Sequence, residues 1–505
     1  MRRWELTIAL DPSREQPLFL QLAGAIADDI RRGLLKPGEA LPGSRELAES
    51  LGINRNTVVA SYGELASEGL ISTRIGGGTF VAMSTIEPFA ARIPSGEAPT
   101  YALRPADCTV PRVGSLPPGT LMLSYGIPDA RLFPTAALTR AFRRAIGQRG
   151  RSLLTYADSC GQPRLRSELA SMLARTRALP VTLDNLMITH SIEQAIDLVA
   201  RMLLQPGDVV AVEAFGYPPA WSVLKLAGAR LMPVPLDEDG LDVDALEALL
   251  VHQRIRAAFL TPHHQFPTTV VMSQARRARL AQLSLQHGFA IIEDDYDHEF
   301  HYDGKPIPPI ASGVGGANVI YVGSLSNLLA PGISTGFVIA PAAVFERLVA
   351  LRAASDARGD AAMECAIAEL FEDGELLRHT RRMQRIYAAR RDALAASLTR
   401  HLGSAVAFRL PGGGMGLWAR VDDAIDVAAW SHAGEREGVQ FFGAGRYDFA
   451  QREQPFLRLG FSYHNETELD EAVRRMARAL TSTRSLSVGS TRNATVRAVQ
   501  AVSTG

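Results

Sequence analysis

The sequence predicts a two-part chain, a compact helical unit followed by a large α/β domain on a mainly parallel sheet. Three observations carry this. Apolar residues recur at helical spacing up to about residue 82, a stretch rich in Pro, Ser and Gly follows, and beyond it apolar runs of four to seven residues alternate with amphipathic helical stretches. Apolar runs without polar alternation are strands buried on both faces, which a parallel sheet covered by helices requires. The 505 residues exceed what one core usually organises, and 47% hydrophobic with 21% charged is ordinary for a globular chain. The expected divisions are 12–82 for the helical unit, 83–121 for a linker, 122–480 for the α/β domain and 481–505 for a hydroxyl-rich, disordered tail.

Charge and cysteine usage narrow the partners. Basic and acidic residues number 53 each, so no global field steers the chain to nucleic acid or membrane, and such a partner needs a local motif. Cys108, Cys160 and Cys365 are scattered and lack metal-ligand spacing, which suits a reducing cytoplasm. Arg2 and Arg3 begin like a signal peptide, but Asp11, Arg14 and Glu15 break the apolar run behind them, and no run reaches the roughly 20 residues of a membrane span. The expectation is a cytoplasmic protein with no membrane partner.

In the helical unit, "PLFLQLAGAIADDIRRGLL" forms a first helix and "KPGEALPGS" turns the chain, with Ser44 in the N-cap position. "RELAESLG" is a second helix ending at Gly52, and "NRNTVVASYGELASEG" a third that opens on Asn54, Arg55, Asn56 and Thr57. Two short helices joined by a tight turn, the second opening on Arg, Asn and Thr, are helix-turn-helix geometry, whose polar residues meet base edges and phosphates in a major groove. "LISTRIGGGTFVA" follows as a hairpin with Gly76, Gly77 and Gly78 at its tip, a wing beside that groove. A plain helical packing module is the alternative.

In the large domain, "VVAVEA" at 209, "AAFLT" at 257, "AIIEDD" at 290, "NVIYVGS" at 318 and "TGFVIA" at 335 are the expected strands. "AIIEDDYDHEF" ends on Glu293, Asp294 and Asp295, and carboxylates at the C-terminal end of a parallel strand lie where such sheets bind ligands. Tyr296, two steps from Asp294, falls on the same side, so a carboxylate and a phenol converge on one ring; an acidic strand end that caps the next helix accounts for the residues equally well. His263 and His264 read as pocket wall, with no metal expected. "PGGGMGLWARV" reads as turn and strand packing, and the arginine run from Arg378 to Arg391 as a solvated helix face.

From "LKPGEALPGSRELAESLGINRNTVVASYGELASEGL" through the glycine wing, the first unit resembles the GntR-type winged helix, which implies double-stranded operator DNA as partner, with Arg45, Arg55 and Arg74 at phosphates or bases and Asn56 and Thr57 reading or positioning. "TYADSCGQPRLRSELA", "MITHSIEQAIDLVARMLLQPGDVVAVEAFGYPPA", "TPHHQFPTTVVM", "IIEDDYDHEFHYDGKPIPPI", "YVGSLSNLLAPGISTGF" and "FLRLGFS" occur in the order and spacing of fold-type I aminotransferases. Together the two parts, over roughly residues 15 to 480, resemble the MocR family of transcriptional regulators. The resemblance implies a PLP-transferase-like domain with a smaller C-terminal α+β subdomain, a head-to-tail homodimer, and a pyridoxal phosphate pocket. In that pocket Asp294 meets the ring nitrogen, Tyr296 the ring hydroxyl and Tyr217 the ring face, Ser324 and Ser326 lie near the phosphate, and Arg458 takes a ligand carboxylate.

Against that pattern the chain departs at telling places. The family has Gly-Ser-Phe-Ser-Lys where this chain has Gly323, Ser324, Leu325, Ser326 and Asn327. An amide nitrogen, its lone pair delocalised, is no nucleophile, and the only lysines are Lys36, Lys225 and Lys305. Ser334 replaces a phosphate-binding arginine, and Ser191 and Thr269 replace glycines. The expected function is therefore a DNA-binding regulator with no catalytic residues. Its large domain senses an effector, amino acid-like or a pyridoxal phosphate-like anion, or only assembles the dimer; pyridoxal phosphate, if bound, is held weakly and without a covalent bond. An aminotransferase with an appended DNA-binding unit is the alternative, and a purely structural paralogue a third reading.

Overall fold

A computed structural model of the chain describes residues 10–74, 78–83, 117–124, 126–155, 158–356 and 358–483. Gly76 and Gly77 of the expected wing, nearly all of the expected linker and most of the tail lie outside them. Two compact units divide the chain, Met1–Arg104 and Pro105–Gly505.

The first unit is three helices and a small sheet. Helix α1 (Leu18–Arg31) turns Leu22, Ile26 and Ile30 inward, onto Leu47 of α2 (Ser44–Leu51) and Val58 and Leu65 of α3 (Arg55–Ser67). Gly52 ends α2 with φ 65°, a left-handed conformation that costs glycine nothing and so lets the chain reverse tightly into α3. Strands β1 (Ala40–Leu41), β2 (Ile71–Arg74) and β3 (Gly78–Val81) pair antiparallel in the order β1-β3-β2, with Arg74 opposite Gly78. One expectation fails: Gly43 is the N-cap of α2, and Ser44 is its first helical residue, its Oγ accepting from Arg55 Nε at 3.3 Å. Asn54 is a true cap, its side chain accepting from the Asn56 N–H at 2.8 Å.

The second unit carries a seven-stranded sheet. In chain order its strands are β4 (Leu186–Thr189), β5 (Val209–Glu213), β6 (Arg230–Val234), β7 (Ile255–Leu260), β8 (Ala290–Asp295), β9 (Val319–Ser324) and β10 (Gly336–Ile339). They lie in the order β4-β10-β9-β8-β7-β5-β6, all parallel except β10, which runs against both of its neighbours. Helices cover both faces, so most strand residues outside the edge strand β6 are buried on each side, as the unbroken apolar runs require. A second sheet, β11 (Val406–Phe408), β12 (Gly416–Val421), β13 (Phe442–Gly443) and β14 (Phe456–Gly460), pairs antiparallel in the order β11-β12-β14-β13 and packs its own core around Trp430, Phe441 and Leu459.

The arginine run corrects another expectation. It lies on α4 (Glu375–Leu402), where Arg378, Arg381, Arg382 and Arg385 are exposed but Arg390 and Arg391 are buried. Arg390 pairs with Asp129 at 3.0 Å and donates to the Ser462 carbonyl, while Arg391 pairs with Asp303 and stacks over Tyr302. The helix turns these two side chains into the domain, where partners replace water.

Candidate functional site

The nucleic-acid candidates of the first unit cluster at helix ends. The contact between Ser44 and Arg55 joins the N-termini of α2 and α3, so the exposed Arg45, Arg55 and Asn56 and the half-buried Thr57 share one end of the helix pair. Arginines beside the positive ends of two helix dipoles suit contact with an anion. Arg74, on β2, rests its guanidinium over the Phe80 ring at 5.4 Å. Val59 was not singled out from sequence; one turn after Arg55 and half-exposed, it adds an apolar contact to the same helix face.

The pocket candidates of the second unit meet at the C-terminal ends of the parallel strands, around a residue not anticipated from sequence, Phe266. Its ring lies edge-on to Tyr217 at 5.4 Å, to Tyr296 at 6.0 Å and to Tyr447 at 5.4 Å, and Arg458 covers it at 4.6 Å. The Tyr217 hydroxyl donates to Glu193 at 2.7 Å, and the Tyr296 hydroxyl donates to the His264 carbonyl at 3.1 Å. Asp294 is buried at the end of β8, and its Oδ1 has no hydrogen-bond partner among the described residues. Burial, and then the neighbouring Asp295, pushes its carboxyl well above the usual carboxylate range. Asp295 is different: burial pushes it up, but His298 and Arg177 hold it well below that range, and the Tyr321 hydroxyl donates to it at 2.5 Å. Arg458 is buried on β14, lies within 4.0 Å of no carboxylate among the described residues, and leaves Nε unpaired. Two glycines make its slot, since a Cβ at Gly416 would come within 2.9 Å of its Cζ and one at Gly126 within 3.0 Å of Nη2.

The opposite end of the pocket is closed on itself. Asn327 donates its side-chain N–H to the Tyr296 carbonyl at 2.9 Å. Ser324 Oγ accepts from the Ser326 N–H and Ser326 Oγ from the Thr335 N–H, each at 3.1 Å, so both serines hold the loop shut. Ser191 caps the helix Ile192–Leu203, its Oγ accepting from the Gln194 N–H that a bound phosphate would otherwise take. Ser334 is exposed. Lys36, Lys225 and Lys305 are exposed too, Lys225 lying over the Phe449 ring at 5.4 Å. Thr269 keeps φ at 64°, the conformation a glycine would take, at a β-branched residue.

Pyridoxal phosphate would need a carboxylate for its ring nitrogen, a phosphate cradle and an amine. The orphaned Asp294 oxygen suits the first, whereas the capped helix start, the inward-turned serines and the Asn327 amide do not fit the other two. The residues do not fit a covalently held cofactor.

A histidine cluster backs this pocket. The rings of His263 and His264 lie 4.1 Å apart, His263 stacks on His298 at 4.2 Å, and His264 lies parallel to His301 at 5.8 Å. His298 and His301 were not picked out from sequence, because only the fold brings the segment after β8 against the one after β7. Burial, and next His264, drives the His263 ring far below the usual histidine range.

Comparison with known proteins places both units. The pattern of the aminotransferase class I and II family matches residues 121–476, and that of the bacterial regulatory proteins of the gntR family matches residues 18–81. The "Probable rhizopine catabolism regulatory protein MocR" of Rhizobium meliloti is 29% identical over 92% of this chain and 94% of its own. The HTH-type pyridoxine biosynthesis transcriptional regulator PdxR of Corynebacterium glutamicum is 31% identical over 78% of this chain and 82% of its own. Among solved structures, the α-aminoadipate aminotransferase LysN of Thermus thermophilus, complexed with N-(5'-phosphopyridoxyl)-L-leucine, superposes with a TM-score of 0.68 at 29% identity, over 73% of this chain and 94% of its own.

Proposed function

The chain belongs to the class I and II aminotransferase family and has the MocR-type architecture, a gntR-family helix-turn-helix ahead of an aminotransferase domain; from that premise we propose a sequence-specific transcriptional regulator whose large domain binds a small carboxylate ligand and does not catalyse transamination. The observation that carries this reading is Asn327, which stands where an amine is required and donates to the Tyr296 carbonyl, with every lysine of the chain exposed elsewhere.

Arg458 is the receptor for the ligand carboxylate, a buried guanidinium within ion-pair reach of no internal carboxylate among the described residues. Asp294 faces a protonated or hydrogen-bond-donating group of the same ligand, and Tyr217 and Phe266 supply its apolar walls. The ligand is amino acid-like or a pyridoxal phosphate-like anion. Pyridoxal phosphate itself binds weakly and without a covalent bond. On the DNA side, Arg55 and Asn56 read the operator, Arg45 and Arg74 position the unit on phosphates, and Val59 meets a thymine methyl. The protein works as a head-to-tail homodimer in the cytoplasm. Among the described residues no helix is long and apolar enough to cross a membrane.

Two measurements test this. Protein incubated with pyridoxal phosphate and borohydride is expected to carry no modified lysine in its peptide map, and to transfer no amino group to 2-oxoglutarate above buffer; a labelled lysine or measurable turnover overturns the non-catalytic reading. Footprinting on the chain's own upstream DNA is expected to show a protected site that Arg55→Ala weakens by about tenfold or more, with a shallower salt dependence. Unaltered binding by that variant removes Arg55 from the interface.

A further inference from the structure

The histidine cluster behind the pocket has a use that neither DNA binding nor ligand recognition calls on. His263 and His264 follow β7, and His301 lies in the segment after β8; one ring nitrogen from each falls within 4.8 Å of the other two. His263 and His264 are 2% and 1% exposed, yet both ring nitrogens of His263 and Nε2 of His264 have no hydrogen-bond partner among the described residues. Buried imidazoles left unpaired in one spot are what a metal-binding constellation looks like without its ion, because each lone pair aimed inward otherwise forfeits a hydrogen bond.

The outer contacts agree. His264 Nδ1 lies 2.8 Å from Asp297 Oδ1. A carboxylate accepting from Nδ1–H fixes the tautomer that presents the Nε2 lone pair, the arrangement that orients metal-bound histidines. His298 is held in the same way, its Nδ1 2.7 Å from Asp295 Oδ2 and its Nε2 unpaired, so the cluster has a second buttressed imidazole stacked on His263. The glycine run completes the wall. Gly413 pairs with His301 in a β-bridge and lies against the His264 ring, where a Cβ would come within 2.2 Å of Nε2, so only glycine fits beside it. His301 is half-buried, which gives an ion a way in from solvent.

We propose that His263, His264 and His301 bind a first-row divalent transition ion, zinc in preference, with Asp297 as the positioning residue of His264 and the fourth position left to water. Three nitrogen donors without sulfur suit zinc or cobalt and disfavour calcium or magnesium, which want oxygen. The ion lies behind the ligand pocket: the carbonyl of His264 takes the Tyr296 hydroxyl while its ring joins the cluster.

The test uses the full chain, stripped with chelator and titrated with Zn²⁺ or Co²⁺ alone. One zinc per chain by elemental analysis, and visible Co²⁺ bands of a nitrogen-ligated four-coordinate site, are expected. His301→Ala is expected to weaken uptake at least tenfold, and Asp297→Asn tenfold to hundredfold while preserving the Co²⁺ spectrum at saturation. The exposed His287→Ala should change nothing. His263→Ala would open a hole in the core, so the half-buried His301 carries the decision. No stoichiometric uptake by the intact chain, or uptake that His287→Ala lowers as much as His301→Ala, overturns the site.

Discussion

The two ends of the large-domain pocket have been left in opposite states. At the ring end, Asp294 and Arg458 are buried with polar atoms unpaired, and Glu213 nearby leaves Oε1 without a partner. At the other end, where the family resemblance would put a phosphate and a lysine, Ser191, Ser324, Ser326 and Asn327 each make a hydrogen bond within the protein. A buried polar group without a partner costs about 1–3 kcal/mol, so a fold retains it where something outside the chain completes it, whereas an end that has lost its ligand relaxes until its groups satisfy one another. The difference is the one the proposed reading expects, polar groups left open where a ligand would be recognised and satisfied within the chain where covalent chemistry would act.

The strongest way to break the comparison is to reopen the closed end. Asn327→Lys with Ser334→Arg restores an amine and a phosphate cation together. The arginine alone is worth about 1.5–3 kcal/mol, a tenfold to hundredfold gain in affinity for pyridoxal phosphate, before any bond to the lysine. Titration should show that gain, and borohydride should fix the cofactor at residue 327. If affinity does not move, the serine contacts and the Ser191 cap govern that end and the lost lysine was secondary.

Next in size is a pH effect at the open end. Glu213 is fully buried at the end of β5, and burial pushes its carboxyl up to about 7 although Thr261 donates to it from both N–H and hydroxyl. A carboxyl whose folded value lies above its unfolded one keeps its proton in the fold after the unfolded chain has lost it. Stability is therefore unaffected at low pH and falls as pH rises from about 4.5 to 7. Glu213→Gln removes that dependence. Its melting temperature relative to wild type should rise between pH 5 and pH 8 by an amount equivalent to about 2–3 kcal/mol. A difference that is flat with pH would mean that Glu213 is ionised in the fold and paired with something not yet identified.

Arg458→Met sharpens the same end with a smaller effect. Exchanging a buried guanidinium that pairs with no carboxylate among the described residues for an apolar chain of similar length should leave thermal stability unchanged or raised, while binding of an amino acid panel falls tenfold or more. Loss of stability together with binding would make Arg458 a structural residue that stacks on Phe266.

How much of this was legible beforehand follows from which groups act locally. Strands such as β5, β7 and β8 announce themselves because burial on both faces favours unbroken apolar runs, but β6 hid: Arg230 and Pro233 are exposed at the sheet edge, where a proline loses no ladder hydrogen bond. No periodicity tells that β10 runs antiparallel. Asn54 capped its helix as its type predicts, while Ser44 lost the cap to Gly43 by a single residue. Asp294, Tyr296 and Asn327 could be expected near one another because a long resemblance orders them. Phe266 at their centre could not, since a phenylalanine after a strand looks like core anywhere. His263 and His301 lie far apart in the chain, and only the pairing of the segments after β7 and β8 with the glycine run makes neighbours of them.

The smallest effect concerns Thr269, in the loop after β7 that also carries Phe266. Its φ of 64° places a β-branched side chain in the left-handed region, at a cost of about 1–2 kcal/mol, and the backbone is held there as Thr269 N–H donates to the Gln265 carbonyl at 2.6 Å. Thr269→Gly removes that strain but frees the unfolded chain by about 0.5–1 kcal/mol, leaving a net gain of about half to one kcal/mol. That should appear as a rise of about one or two degrees in melting temperature, with Thr269→Ala unable to match it because alanine has a Cβ in the same conformation. Should the glycine variant melt lower, the threonine side chain contributes more by its contacts than its backbone loses, and this stretch has been rebuilt around the substitution rather than left as a remnant.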